Sequence, residues 1–500
     1  LPILHGLIDH LDLSLLKEAK TNEEKVPYLL PMLGVDTSSN RLKASMLEIE
    51  ETITTWPQLA SGVVFGGGIC TDVCRRLLLG QIKNSGRYFV DIEEIINDEV
   101  ENSISRNKVK AKGLNIIEET NKADYQELIE EYDKNNSGLK SESILTLKEV
   151  KELVEYAVMA PSGGNIQPWK WIYNDGKLFL FSDINRTKTV LNYKNNANLI
   201  SFGAATENLL LKAKELDINV NLNQLPYKED GGLIGVFYFS KPSVAIEKDE
   251  LSKFIPLRAT NRSLKKGNAI LENKINKLKK SLLTIKGAEL KIFQEKDQIK
   301  EIQSVLTELD RIYLTSKKGH HHFVNEIRWD NKENELSKDG VDIETLDLTP
   351  TERVGLTVAK KWGVVKYMQE WGVGSTFGKL TKKAIDSCSA LGMIVLPKEL
   401  EHRFFDGGRA LERVWLTATQ NNIGIQPVSI NAFLFERIEQ NDFAGIEELE
   451  LDMKTLAQKF YSICGVKDLE QNVFFFRMLN GYEPSKRSLR RDVDKVLIYE

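Results

Sequence analysis

Gly203-Ala204-Ala205-Thr206-Glu207-Asn208-Leu209-Leu210-Leu211-Lys212-Ala213 and Gly408-Arg409-Ala410-Leu411-Glu412-Arg413-Val414-Trp415-Leu416-Thr417-Ala418 are the two stretches on which the fold turns. Gly203, Ala205, Glu207, Leu211, Ala213 and Ile218 match Gly408, Ala410, Glu412, Leu416, Ala418 and Ile423 at a constant offset of 205. Identities that share one register imply two copies of one helix. Each copy is rich in small residues on one face, which permits close helix packing, and each runs into an extended apolar segment. The expected fold is α/β (α+β) with an internal duplication.

Working outward, 500 residues exceed one ordinary core, and at roughly 150 residues per domain about three structural units are expected. The balance of 68 basic against 72 acidic residues, a net charge of −4, gives no pull toward nucleic acid or anionic lipid. A small-molecule substrate is the expected partner. Cys70, Cys74, Cys388 and Cys464 are too few for a disulfide framework and suit a reducing compartment, so the cytoplasm is expected. No apolar run has the length of a membrane span, and the N-terminus has no signal-peptide pattern. A chain that opens on Leu1-Pro2-Ile3 reads as a processed or truncated piece of something longer.

Residues 1–100 read as mixed α/β. A helix is expected over Ala44–Ile53, then a break at Trp56-Pro57. A strand at Val63-Val64-Phe65 is expected to run into a Gly66-Gly67-Gly68 turn, with a helix from Thr71 to Leu79 stopped by Gly80. Cys70 and Cys74 are assigned to its core. Residues 101–143 turn to Asn, Lys, Glu and Asp, as in a charged, solvated linker. Leu147, Val150, Val154 and Val158 then recur at helical spacing, and Pro161 ends that helix by Ala160.

The strongest chemical motif follows: Ala160-Pro161-Ser162-Gly163-Gly164-Asn165-Ile166-Gln167-Pro168-Trp169. Glycine and short polar side chains let backbone and amide groups approach a flat ring. Arg258-Ala259-Thr260-Asn261-Arg262-Ser263 and Lys486-Arg487 with Arg490-Arg491 are two basic clusters suited to a dianionic phosphate, because guanidinium forks onto its oxygens. Residues 145–500 resemble the nitroreductase superfamily on these motifs. The resemblance implies a nitroreductase-like pseudo-dimer that binds FMN, with half 1 at 144–245 and half 2 at 246–500.

In that family the loop and the arginines come from opposite subunits. Here, aligning Glu272 with Glu149 sets Asn135 and Leu139 where Arg258 and Arg262 would recur, and Thr284–Leu290 opposite Pro161–Gln167. Each half keeps what the other lacks, as in one composite site. The cofactor-binding residues so implied are Arg258, Thr260, Arg262, Pro161, Ser162, Gly163, Asn165, Gln167, Lys383, Pro427, Val428, Arg487 and Arg490. Gly424–Ile430 resembles the family loop at the flavin N5 edge, which places Ser429 and Ile430 there. Lys383 matches a lysine near the flavin pyrimidine, or else sits on a solvated helix face.

The implied activity is hydride transfer from NAD(P)H through FMN to a small acceptor. Two alternatives stand beside it. One is an azoline or peptide dehydrogenase, suggested by Lys366-Tyr367; the other is a flavin-sequestering protein closed by a lid insertion at about 320–375. His320-His321-His322 reads as lid or surface rather than metal, since adjacent residues cannot converge on one ion. Trp56–Ser61, Gly66–Gly68, Arg75-Arg76 and Ser85–Tyr88 resemble the C-terminal part of a ThiF-type adenylyltransferase, a partial Rossmann-like α/β domain fused ahead of the flavin part. A monomer is expected from the internal pairing, with a homodimer left open.

Overall fold

The computed structural model describes residues 11–49, 51–55, 58–83, 88–96, 122–183, 185–186, 191–227, 232–244, 246–481, 483–484 and 486–499. The chain divides into two compact units. One comprises residues 1–113, 314–320 and 348–377; the other comprises 114–313, 321–347 and 378–500. No helix among the described residues is long and apolar enough to cross a membrane.

Among the described residues the N-terminal stretch contributes to the first unit the helices α1 (Leu13–Glu18), α2 (Asn22–Leu33), α3 (Asn40–Leu47), α4 (Ala60–Leu78) and α5 (Ile92–Ile95). The expected strand at Val63–Phe65 and the glycine turn after it are absent. Both lie inside α4, whose 19 residues run unbroken through Gly66, Gly67 and Gly68. The Val-Val-Phe-Gly run has no strand partner among the described residues, so its peptide groups are satisfied along a helix instead. Asp72 supports the last turns by pairing with Arg75 at 2.7 Å and Arg76 at 3.9 Å.

Cys70 and Cys74 are exposed on α4 rather than part of a core. The helix expected to reach Ile53 stops at Leu47, where Glu48 turns its carboxylate to the Gly374 N–H at 3.0 Å. The Trp56-Pro57 break and Ser85–Arg87 lie outside the described residues, as do residues 101–121 of the linker.

The larger unit begins with α6 (Gln126–Asn135), then α7 (Leu147–Ala157), β1 (Trp169–Asn174), β2 (Lys177–Ser182), α8 (Asn196–Glu215), β3 (Asn219–Gln224) and β4 (Leu233–Ser240). Helix α6 is not a solvated linker element. Tyr125, Ile129 and Tyr132, one helical stripe, pack on Phe179, Phe181 and Val236 of the sheet. Helix α7 starts with a Thr146/Glu149 capping box and buries Val150, Leu153, Val154 and Ala157. Asp175 and Gly176, both at positive φ, make the two-residue hairpin turn between β1 and β2.

The second half adds α9 (Glu272–Lys280), β5 (Glu289–Phe293), α10 (Lys296–Thr315), α11 (Lys317–Glu326), β6 (Ile327–Arg328), α12 (Asn331–Ser337), β7 (Val341–Asp342), α13 (Pro350–Ala359), α14 (Trp362–Glu370) and α15 (Ser375–Asp386). Then come β8 (Ala390–Pro397), α16 (Arg403–Gln420), β9 (Ile423–Pro427), α17 (Ile430–Glu439), α18 (Glu450–Cys464), β10 (Glu470–Asn480), α19 (Val493–Val496) and β11 (Leu497–Tyr499). In the smaller unit α13 and α14 supply Ala359, Val364, Val365 and Met368 to a core shared with Ala44 of α3.

Two sheets organise the larger unit, in the orders β11-β1-β2-β4-β3 and β5-β8-β10-β9. The last strand pairs in parallel with β1, Trp171 opposite Leu497. Between the sheets' cores α8 and α16 cross almost backbone to backbone. A methyl group on Gly203 would overlap the Phe405 carbonyl oxygen, and one on Gly408 would overlap that of Ile200. These are the two glycines related by the 205-residue offset, and the carbonyls they face are related by the same offset.

Candidate functional site

Helix α7 ends at the Val158–Ala160 carbonyls, which the helix itself leaves without partners. Arg490 donates to Val158 O at 3.1 Å and Ala160 O at 3.2 Å, and Arg258 donates to Met159 O at 2.6 Å. Cations at the negative end of the helix dipole are favourable. The loop after α7 is then pinned by its own amides. Asn165 donates to Gly340 O at 3.0 Å and Leu489 O at 3.2 Å, and accepts from Arg490 at 2.9 Å.

Gln167 donates to Lys338 O at 2.8 Å and accepts the Arg491 N–H at 2.9 Å. Ser162 Oγ accepts the Gln167 N–H at 3.0 Å. These amides hold loop to chain rather than standing free.

The Arg258–Arg262 segment is stitched to β9: Asn261 donates to Ile425 O at 2.9 Å, and Gly424 is required there because a side chain would strike Asn261. Arg262 is partly buried, and its polar contacts are with Thr345, at 3.2 Å to the hydroxyl and 3.4 Å to the carbonyl. Arg487 donates to Leu257 O at 2.7 Å.

Together these segments enclose a cavity of about 240 Å³. Pro161, Ser162, Gly163, Asn165, Arg258, Thr260, Arg262, Pro427, Ser429, Ile430, Arg487 and Arg490 all line it. Three expected residues do not. Gln167 is wholly buried in the bonds just given. Val428 spends its N–H on Phe475 O at 2.9 Å. Lys383 is an exposed residue of α15. Ser429 caps the same strand, donating to Phe475 O at 2.6 Å and accepting its N–H at 3.1 Å.

The sequence reading missed the apolar wall: Ile200, Leu411, Trp415, Phe433 and Phe474. Leu411 and Trp415, four apart on α16, were the available signal.

Four guanidiniums thus meet round one cavity, and the carboxylate among them is Glu412, 3.3 Å from Arg258 and fully buried. Arg258 also lies 4.6 Å over the Trp415 ring. Burial pushes Arg262 down to about 10. Burial and the neighbouring Arg258 push Arg490 down to about 9, with Glu412 opposing. Burial pushes the Glu412 carboxyl up to about 7 even though Arg258 pulls it down. The site holds an excess of positive charge that an anion would neutralise.

Arg258→Ala takes the partner from Glu412, so the carboxyl's folded value rises further above its ordinary 4.5. A carboxyl with a raised folded value binds a proton on folding, so stability falls as pH rises from 4.5 through 7 and beyond. The variant is expected to melt well below wild type at about pH 8 and to recover much of the gap at about pH 5.5. Thermal denaturation followed by circular dichroism at the two pH values checks this.

Of the three histidines, His320 bonds the Ala359 carbonyl at 2.7 Å, while His322 pairs with Glu326 at 3.1 Å. Lys366 and Tyr367 lie on α14 of the smaller unit, with Lys366 3.5 Å from Glu370, and neither lines the cavity.

No family model matches the chain. It is 26% identical over 506 residues to the uncharacterized protein MT1398 of Mycobacterium tuberculosis (strain CDC 1551 / Oshkosh), covering 98% of this chain and 64% of the relative. The chain therefore spans somewhat less than two-thirds of that relative's length. Over 122 residues, 24% of this chain and 37% of the relative, it is 27% identical to a protein of the same organism named "Putative NAD(P)H nitroreductase acg".

Among solved structures, a nitroreductase with bound FMN from Desulfitobacterium hafniense DCB-2 aligns at 10% identity and a TM-score of 0.29, over 51% of this chain and all of the other. The FMN and NADPH-dependent nitroreductase NfnB of sphigopyxis sp. strain HMH aligns at 9% identity and a TM-score of 0.30, over 50% of this chain and 99% of the other.

Proposed function

We propose that this chain binds FMN in the arginine-lined cavity and is an oxidoreductase of nitroreductase type, carrying hydride from NAD(P)H to a small acceptor. The observation that carries the reading is the convergence of Arg258, Arg262, Arg487 and Arg490 on one cavity, where burial raises the carboxyl of Glu412 beside Arg258. Such a site fits a dianionic phosphate, and the wall of Ile200, Leu411, Trp415 and Phe474 fits a flat aromatic group. The sequence similarity to a nitroreductase-named protein supports it further.

The reciprocal Gly203/Gly408 crossing and the pairing of the last strand with β1 support a pseudo-dimer within one chain. On this reading one half supplies the loop and the other supplies the arginines.

FMN, when bound, supplies the hydride-accepting and hydride-donating chemistry. The protein's part is to hold it. Arg262 and Arg487 grip the phosphate; Arg258 and Arg490 fix the α7 terminus and keep the field positive. Ser162 and Asn165 set the loop against the pocket. The apolar wall excludes water from the reacting face.

A second reading, flavin sequestration, is favoured by the bonds that fasten residues 338–341 to the loop: Asn165 to Gly340 in both directions, and Gln167 to Lys338. That segment also lines the cavity through Val341. Titrating the protein with FMN by flavin fluorescence, then adding NADH and NADPH anaerobically, separates the two. One FMN per chain that bleaches supports the oxidoreductase; FMN bound and still yellow supports sequestration; no binding removes both.

A further inference from the structure

Among the described residues the two large sheets end on the outer strands β11, β3, β5 and β9, and all but one of these are guarded against joining a further strand. Strand β11 is only three residues long, β5 carries Glu289 and Lys291, and β9 ends on Pro427 and takes a bridge from Thr260. The exception is β3. Its residues, Asn219-Val220-Asn221-Leu222-Asn223-Gln224, include no charge and no proline. Its register with β4 runs without a bulge from Asn219 opposite Ser240 to Gln224 opposite Gly235.

The outer edge of β3 is open. Phe239 of β4 spends its N–H on Ser141 Oγ at 3.1 Å and its carbonyl on the Ser143 N–H at 3.0 Å, which leaves Val220, the residue opposite, unbonded to it. Antiparallel pairing alternates, so the peptide groups of Val220 and Leu222 point away from β4, whereas those of Asn219, Asn221 and Asn223 point into it. Among the described residues no strand takes up the outward groups. Such an edge is a template for another strand.

The pattern of β3 selects which strand fits. Read in either direction from Asn221 it is the same, with amides at 219, 221 and 223 and aliphatic side chains at 220 and 222. The amides share one face of the strand and the aliphatic pair the other. Val220 and Leu222 pack on the core beneath them but remain half-buried, and Asn219 and Asn221 are exposed.

We propose that this chain forms a two-fold dimer by pairing β3 antiparallel with β3 of a second copy, centred on Asn221. The pairing does not rest on the flavin reading. Val220 of each copy exchanges both backbone bonds with Leu222 of the other. Asn221 meets its own copy at a non-hydrogen-bonded position, where side chains stand closest, and Asn219 meets Asn223. Amides suit one another, each carrying both donor and acceptor. Asn223 donates to the Tyr132 hydroxyl at 2.7 Å, which leaves its carbonyl to accept from Asn219 of the second copy. On the opposite face Val220 and Leu222 cover each other. A slip by one residue would set each asparagine against an aliphatic side chain.

Sedimentation velocity of the full chain over about 1–200 µM should show monomer passing to dimer with a micromolar midpoint, as befits an interface at the small end of the range. Val220→Pro removes an outward N–H and none that bonds β4, so its melting temperature should stay near wild type while the dimer weakens about 30-fold, one bond being lost on each side of the axis. Asn221→Lys and Asn221→Glu each set like charges face to face at the axis and should each be monomeric at about 200 µM, while their equimolar mixture dimerises.

A chain that stays monomeric throughout overturns the pairing, and slow hydrogen exchange over Val220–Leu222 in that monomer would assign the edge to a segment of the chain itself. A dimer that survives both Val220→Pro and Asn221→Lys is built elsewhere and overturns it equally.

Discussion

Arg262→Ala should bind FMN some 30- to 150-fold more weakly, the loss of about 2–3 kcal/mol expected when one charge-assisted guanidinium–phosphate pair is removed. The cofactor-free variant should melt at the same temperature as wild type or slightly above it. The two effects have opposite signs for one reason. Arg262 is partly buried with Thr345 as its polar contact and takes part in no ion pair among the described residues, and desolvation has already pushed it down to about 10. Its charge therefore destabilises the empty site and finds its use when an anion arrives. Riboflavin, which lacks the phosphate, is the control: its affinity should not change. Equal losses for FMN and riboflavin would place Arg262 away from the phosphate.

Gly203→Ala and Gly408→Ala are each expected to cost more than about 3 kcal/mol, enough to be seen as poor refolding or a large drop in melting temperature. One added methyl would overlap a backbone carbonyl oxygen of the facing helix, and a backbone cannot rotate out of the way as a side chain can. The control is the same substitution elsewhere. Gly66→Ala in the middle of α4 meets nothing within 4 Å and should stabilise by about 0.5–1 kcal/mol through helix propensity. A melting series of the three variants reads both signs. Similar costs at 203 and 408 accord with reciprocal roles in the crossing; a small cost at either would mean that the helices can slide.

The helix pair was legible because close packing leaves its record as small residues in one register, here Gly203 and Gly408 with Ala205 and Ala410. The Pro161–Asn165 loop and the arginines were legible for a different reason: their residue types are uncommon in those combinations. Strand identity at Val63–Phe65 was not legible. A β-branched run followed by three glycines favours strand and turn locally, and with no partner strand among the described residues the run is helical.

Gln167, Val428 and Lys383 failed as pocket residues because sequence gives a residue's type and not the direction in which its bonds are spent. Two of them are committed to Lys338 and Phe475. The His322–Glu326 pair shows both limits at once. The four-residue spacing of His322 and Glu326 on one helix was readable, whereas their meeting with Gly164 depends on a contact between residues some 160 positions apart.

Four like charges gathered before any ligand is present make the site a spring held compressed by the rest of the fold. By mass action, whatever neutralises it becomes a folding partner. At 100 times its Kd an anion that binds only the native chain adds about 2.7 kcal/mol. Melting temperatures measured in phosphate or sulfate buffers would then exceed those in chloride at equal ionic strength, before any flavin is added. The cofactor's phosphate would serve twice, as an address for the flavin and as the counter-charge that completes the native state.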